Sequence, residues 1–445
     1  MNNWQHQKLG NVADVKLSNV DKVPKENERI IRLCNYTDVY KNSFINADKS
    51  NSFMIASCNE VEYKRFILRK GQVAITKDSE TPNDIGVSTY ISEDFHDVVL
   101  GYHLALITPN EDKLNGRFLH YWLNTKQSKQ YFENNAGGSG QRCTLTLDCI
   151  KSIPLYLPNI QIQESIAKIL SDLDIKIELN NRINQELEEM AKTLYDYWFV
   201  QFDFPSERGK PYKSSGGKMV YRKELKREIP EGWNIGSFND LGEVVGGSTP
   251  SRSNTDFYSN NGIAWITPND LSNNKGNKFI SHGEFDITEA GFKNASLRIL
   301  PKDSILLSSR APIGYMAICQ NDVTTNQGFK SFIPNKGYHC SFVYYAVKNS
   351  IKLIEKNASG STFKEISGGV LKSLPTILPS KKLIGEYAIR TKSIFERQSL
   401  IESENQKLKE LRDWLLPMLM NGQITVCEVE EELRIAAEPR EEYGN

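Results

Sequence analysis

Apolar positions fall into two patterns along the chain. From Gln161 to Phe199, with no Gly or Pro to interrupt, Ile166, Leu170, Leu173, Ile177, Leu187, Ala191, Leu194 and Trp198 recur in alternating steps of four and three, with Asn180 and Asn184 in the same series. That spacing is the heptad seam of a coiled coil. A helix over 161–199 would be about 58 Å long at 1.5 Å per residue, the length of a strut. The pattern returns 221 residues later at Tyr387, Ile394, Ile401, Asn405, Leu408, Leu415 and Leu419, as a weaker seam with polar breaks at Thr391, Gln398 and Arg412. Asn184 and Asn405 occupy the same seam position, where a polar residue either sets helix register or marks a solvated edge. The other pattern is short. Gln72-Val-Ala-Ile-Thr76, Ile263-Ala-Trp-Ile-Thr267 and Asp303-Ser-Ile-Leu-Leu-Ser308 are β-rich runs bounded by Gly, Pro, Asn and Asp, and short amphipathic helices fit Phe118 to Leu123 and Phe342 to Val347. The fold class is α+β, or mixed α/β.

The two seams belong to a duplication. Ile150-Lys-Ser-Ile-Pro154-Leu-Tyr-Leu-Pro158 matches Leu371-Lys-Ser-Leu-Pro375-Thr-Ile-Leu-Pro379 with five identities in nine positions. Upstream, Asn135-Ala-Gly-Gly-Ser-Gly140 pairs with Asn357-Ala-Ser-Gly-Ser-Thr362, and Phe118-Leu-His-Tyr121 with Phe342-Val-Tyr-Tyr345. A period of about 220 residues is far too long for a solenoid, so one domain has been copied in tandem. The chain then divides into a domain over 1–158, a long helix over 159–204, a basic connector over 205–228, a second domain over 229–379, a second long helix over 380–427 and an acidic tail over 428–445.

Composition excludes several function classes. The 445 residues carry 55 Lys plus Arg against 55 Asp plus Glu, so a bulk positive field is not how this protein would grip a polyanion. Charge is local instead: Ser206 to Glu228 holds eight basic residues against three acidic ones. The seven cysteines are scattered and never spaced as CxxC, which argues against a disulfide framework or a zinc site, and the six histidines form no metal spacing. No metal or catalytic residue is expected. No Pro-Pro pair of an amino-methyltransferase motif occurs, and there is no GxxxxGK[ST]; Gly217-Lys218 is followed by Met. No run approaches the ~18 apolar residues of a membrane span and the N-terminus lacks signal-peptide order, so a cytoplasmic location without membrane association is expected. Duplicated domains on a strut without a catalytic constellation describe a binding or adaptor protein.

An ordered set of segments resembles a known family. Gly246-Gly-Ser-Thr-Pro-Ser251, leading through Gly262-Ile-Ala-Trp265 to Asp270-Leu271, is similar to the opening of a target-recognition domain in specificity subunits of type I restriction-modification systems. Leu194-Tyr-Asp-Tyr-Trp198-Phe-Val-Gln-Phe-Asp-Phe-Pro205, Gly209-Lys-Pro-Tyr212 and Ile229-Pro-Glu-Gly-Trp233 resemble the family's central conserved region, and Leu415 to Gly422 its distal one. The first domain departs, with Lys16-Leu-Ser18 in place of the Gly-Gly-Ser-Thr-Pro turn. The resemblance implies two target-recognition domains, each reading half of a bipartite double-stranded DNA target, on two long helices forming an antiparallel coiled coil that sets the spacer. It implies two methylation subunits carrying S-adenosylmethionine and adenine N6 chemistry, and restriction subunits supplying ATP- and magnesium-dependent translocation and cleavage. This chain itself would bind no cofactor. The alternative is a coiled-coil assembly scaffold whose domains bind protein.

Base edges are read by side chains that match their donor and acceptor patterns. The Gly/Ser loops offer Ser139, Gln141, Arg142 and Thr144 in the first domain, and Ser361, Thr362 and Lys364 in the second. Lys77, Tyr102 and His103 lie at strand ends that match Ser309, Arg310, Asn326 and Gln327. The cluster of Tyr197, Trp198, Phe199 and Phe202 either docks a methylation subunit or packs against its own domains. The basic stretch either touches phosphates or is a solvated linker.

Overall fold

The computed structural model describes residues 4–138, 142–360 and 364–437. The chain forms two compact units, Met1–Ile177 with Leu408–Asn445, and Glu178–Lys407. Each holds one globular domain and a stretch of both long helices.

The two domains repeat one sheet topology. In the first unit the strands β1 (Ala13–Leu17), β2 (Phe44–Ile45), β3 (Val73–Thr76), β4 (Ser88–Ile91) and β5 (Leu104–Pro109) lie in the order β1-β5-β3-β4-β2. In the second, β6 (Glu243–Gly246), β7 (Phe279–Ile280), β8 (Ile305–Leu307), β9 (Met316–Cys319) and β10 (Lys330–Ile333) lie as β6-β10-β8-β9-β7. Register agrees: β2 runs parallel to β4 with Phe44 opposite Tyr90, and β7 runs parallel to β9 with Phe279 opposite Ile318. The central strands are buried on both faces, which explains why Val73–Thr76 and Ile305–Leu307 read as continuous apolar runs rather than alternating ones.

The sequence repeat has a structural job. A short helix over Leu147–Ser152 leads into a strand, Pro154–Leu157, that pairs antiparallel with Gln5–Lys8. Gly368–Ser373 leads in the same way into Pro375–Leu378, which pairs with Asn234–Ser237. Each domain's last strand thus closes on its first, just before a long helix departs.

The amphipathic helices expected near Phe118 and Phe342 are α1 (Gly116–Leu123) and α3 (Cys340–Lys348). The long helices are α2 (Ile160–Tyr195) and α4 (Lys381–Met420), followed by α5 (Val426–Ala437) in the acidic tail. They pair antiparallel. In the first unit Asp174 Oδ1 accepts from Arg412 Nη1 at 2.8 Å, and Ile166 and Leu170 share a core with Leu415 and Leu419. In the second, Asn180 Nδ2 donates to Asn405 Oδ1 at 2.9 Å and Asn184 Nδ2 to Glu402 Oε1 at 2.9 Å. Asn184 and Asn405 are buried, 5 % and 4 % exposed, so the solvated-edge reading does not hold.

The aromatic cluster requires a correction. After Tyr195 the helix widens into a π turn over Asp196–Val200, which adds a residue to the turn. Trp198, Phe199 and Phe202 are 2 %, 1 % and 3 % exposed in the core of the second unit, against Trp233, Phe342 and Tyr387. Rings whose apolar area is already removed from water form no docking patch; only Tyr197, at 37 %, stays on the surface. The basic stretch is not a bare linker either. Ser214 is held by Asp203, Tyr212 stacks on Phe204 at 4.7 Å, and Met219–Arg222 pairs with Arg227–Pro230 as a hairpin.

Candidate nucleic-acid interface

Each sheet carries a rim where the chain leaves a central strand, meets the neighbouring strand's start, and receives the Gly/Ser loop. In the first unit, Lys77 N donates to His103 O at 3.0 Å and Leu145 N to Lys77 O at 2.8 Å. In the second, Ser309 N donates to Gly328 O at 2.7 Å and Ile366 N to Ser309 O at 3.0 Å. The two frames are equivalent, so Lys77 corresponds to Ser309, Asp78 to Arg310, and Thr144 to Glu365.

In the first rim three of the expected residues meet at one carboxylate. Asp78 accepts from Lys77 Nζ at 2.8 Å, from His103 Nδ1 at 2.5 Å and from Thr144 Oγ1 at 2.8 Å. Burial alone would push the Asp78 carboxyl up, but these three donors outweigh it and hold it below the ordinary carboxylate range. Tyr102 packs edge-on to His103 at 4.0 Å, with the Lys77 amine 5.1 Å from its ring centroid, and remains 48 % exposed. His103 has a φ of +72°, a left-handed conformation that costs a side-chain residue strain. Beside it lies a cleft of about 430 Å³ lined by Tyr36, Tyr40, Asp84, His103 and the exposed Arg142. Carboxylates are the acceptor type that matches an exocyclic amine, and a guanidinium the donor type that matches guanine O6 and N7.

The second rim also gathers cations on a carboxylate, here Glu365, with Arg310 at the position of Asp78. Arg310 lies 3.7 Å from Glu365, and Lys330 3.5 Å from the same carboxylate. Gln327 is exposed and bonded to Thr249, and Asn326 Oδ1 accepts from Gly328 N at 2.8 Å, which shapes the loop between. The Gly-Gly-Ser-Thr-Pro turn is explained by closeness: a Cβ on Gly247 would fall 2.1 Å from Asn326 O. Ser248 N then donates to Thr325 O at 2.9 Å, docking the turn beside the rim.

Placement of the remaining expected residues is mixed. Ser309 is fully buried and gives its hydroxyl to Gly328 O at 3.0 Å, so it builds the rim and does not reach a base. Lys77, 8 % exposed, is committed to Asp78. Lys364 is exposed, while Ser139, Gln141, Ser361 and Thr362 lie outside the described residues. Asp78 and Glu365 were not among the residues expected from the sequence, since they are acceptors that hold donors in place, and neither was Lys330, a cation set against Glu365. Their signal was adjacency, Asp78 following Lys77 and Glu365 following Lys364. Among the described residues no group of three or more His, Cys, Asp or Glu could hold a metal ion, and no helix is long and apolar enough to cross a membrane.

The profile of the type I restriction modification DNA specificity domain matches residues 1–189 and 230–413, once over each half of the duplication. This chain belongs to that family. The type I restriction enzyme HindI specificity subunit of Haemophilus influenzae is 28 % identical over 476 residues, covering 95 % of this chain and 100 % of its own length. The MjaIX specificity subunit of Methanocaldococcus jannaschii is 45 % identical over 155 residues, 34 % of this chain and 35 % of that one. Among solved structures, the type I restriction-modification S subunit from M. genitalium gives a TM-score of 0.58 at 15 % identity, covering 94 % of this chain and 96 % of its own, a likeness of fold. Both matched stretches end inside a long helix, so the DNA specificity domain takes in a globular domain together with the helix that follows it.

Proposed function

We propose that this chain is the non-catalytic DNA-specificity subunit of a type I restriction-modification complex. The observation that carries the reading is the family match over both halves of a chain whose two sheets share one topology. Each domain reads one half of a bipartite double-stranded target through its rim: Tyr102, His103, Arg142 and Thr144 in the first, Arg310, Asn326, Gln327 and Lys364 in the second. The paired helices set the gap between half-sites and seat two methylation subunits. Those partners carry S-adenosylmethionine, and restriction subunits bring ATP and magnesium; the target places the complex wherever the cell keeps its DNA.

Single-molecule sequencing of modified bases tests this. Cells carrying the chain with its methylation subunit are expected to show methyladenine in one motif split by a fixed gap, absent from cells lacking the chain. No new motif, with an active partner present, would favour the assembly-scaffold reading instead.

A further inference from the structure

A buried lysine ties the second recognition domain to the helix pair. Lys278 immediately precedes β7, and its side chain is 3 % exposed. Its Nζ donates to Glu188 Oε2 on α2 at 2.6 Å, to Gln398 Oε1 on α4 at 2.7 Å and to the Tyr345 hydroxyl on α3 at 2.9 Å, and lies 4.0 Å from the Phe395 ring centroid. The backbone of the same loop is held as tightly. Lys278 N and Phe279 N donate to the two oxygens of Glu402 at 2.9 and 2.8 Å, and Glu402 Oε1 also accepts from Asn184 Nδ2. One loop of the recognition domain therefore inserts between both helices at a polar layer of their seam.

Burying the Lys278 ammonium and the Glu402 carboxylate, with Glu188 partly exposed beside them, is an expensive way to join a domain to a helix, since apolar residues of similar volume would do it at no desolvation cost. Such layers do best at fixing register, because any slip strands a charge without a partner. The first unit shows that the fold does not demand one. Tyr90 N donates to Ser43 O at 2.9 Å just as Ile318 N donates to Lys278 O at 2.8 Å, which makes Ser43 the equivalent of Lys278. Among the described residues no side-chain hydrogen bond joins Ser43 to either helix. Ser43 instead lines a cleft of about 820 Å³ shared with Tyr121, Asp174 and Arg412. There Tyr121, the counterpart of Tyr345, donates to Asp174 at 2.6 Å, and the neutralising cation is Arg412 from the helix itself.

We propose that Lys278, with Glu188 and Glu402, is a positioning element that fixes where the second recognition domain sits along the helix pair, and thereby restricts the complex to one spacing between half-sites. This rests on the specificity-subunit reading above. Slipping the domain by one residue along the helices would leave Lys278 facing neither carboxylate, so neighbouring spacings are excluded by an energy gap rather than by length alone.

The test uses the full chain with its methylation subunits and reads the gap distribution of methylated sites by single-molecule sequencing. In Lys278→Met, both half-site sequences are expected to persist while methylation at gaps one base pair shorter or longer rises at least tenfold over the native chain. Ser43→Ala, at the equivalent position, leaves the distribution unchanged. A Lys278→Met chain that keeps the single native gap, or that loses methylation uniformly at every gap, overturns the proposal, the latter being what a merely structural role produces. Should Lys278→Met yield no folded chain, the isosteric Glu402→Gln decides by the same readout, expected to shift the same way. A native chain that gives no split motif refutes the specificity reading itself, and the positioning role with it; a native split motif beside an unchanged variant refutes only the positioning role.

Discussion

His120 is enclosed in the first unit, its Nδ1 2.9 Å from the Ser88 hydroxyl, and burial lowers it to about 4, against a smaller opposing pull from Asp174. The unfolded chain takes up a proton near 6.5, the folded one only near 4. Between those values the unfolded state binds more protons, so stability present above pH 6.5 is lost as pH falls through 4, by on the order of 3 kcal/mol. His120→Gln is expected to flatten the pH dependence of the urea midpoint in that window; an unaltered slope would locate the acid sensitivity elsewhere. Asp78 is the other residue whose loss has a defined reading. Asp78→Ala leaves the Lys77 amine without a counter-charge and frees His103 and Thr144, costing about 2 kcal/mol for charged hydrogen bonds lost. Discrimination is expected to fall at the first half-site alone, with the second intact in the methylated motif. The sequence offered Lys77, His103 and Thr144 as candidates but not their meeting at Asp78, since only the folded rim brings positions 77, 103 and 144 together.

The elements were far more legible. The first seam reads as a helix because its apolar positions face a partner over its length. The second seam looked weak for a reason that the contacts explain: its polar breaks are where α4 makes polar contacts with the second domain or with α2. Thr391 bonds Tyr387 O and meets the Ser341 hydroxyl of α3 at 3.3 Å, Gln398 accepts from Lys278, and Arg412 holds Asp174. Periodicity counts apolar faces, so it scored these anchors as defects. The antiparallel pairing also refines how spacing can be altered. Asn180 faces Asn405, so an insertion in α2 alone would strip the buried amides of their partners. Four residues added after Ile177 together with four after Lys407, about one turn in each helix, are expected to lengthen the preferred gap and preserve both half-sites. The same motif at the same gap would show that the helices do not measure it.

At the scale of the whole molecule the chain order and the spatial order differ. The second unit is one continuous stretch, Glu178–Lys407, whereas the first is assembled from both ends of the chain. The duplicated sequence announced two domains but could not show this interleaving, because a repeat records ancestry and not which helix segment covers which core. A chain ending at Lys407 is expected to keep the second unit's protease-resistant core and lose the first's, since Leu415 and Leu419 no longer cover Ile166 and Leu170. Equal protection of both in limited proteolysis would mean that the first unit stands without its returning helix. The same interleaving orders events on the ribosome. Residues 178–407 have everything they need once Lys407 clears the exit tunnel, while the domain translated first must wait with Ile166 and Leu170 uncovered until the last segment arrives. The half made earliest is therefore the half finished last, and in a nascent chain it is the one a chaperone would have to shelter.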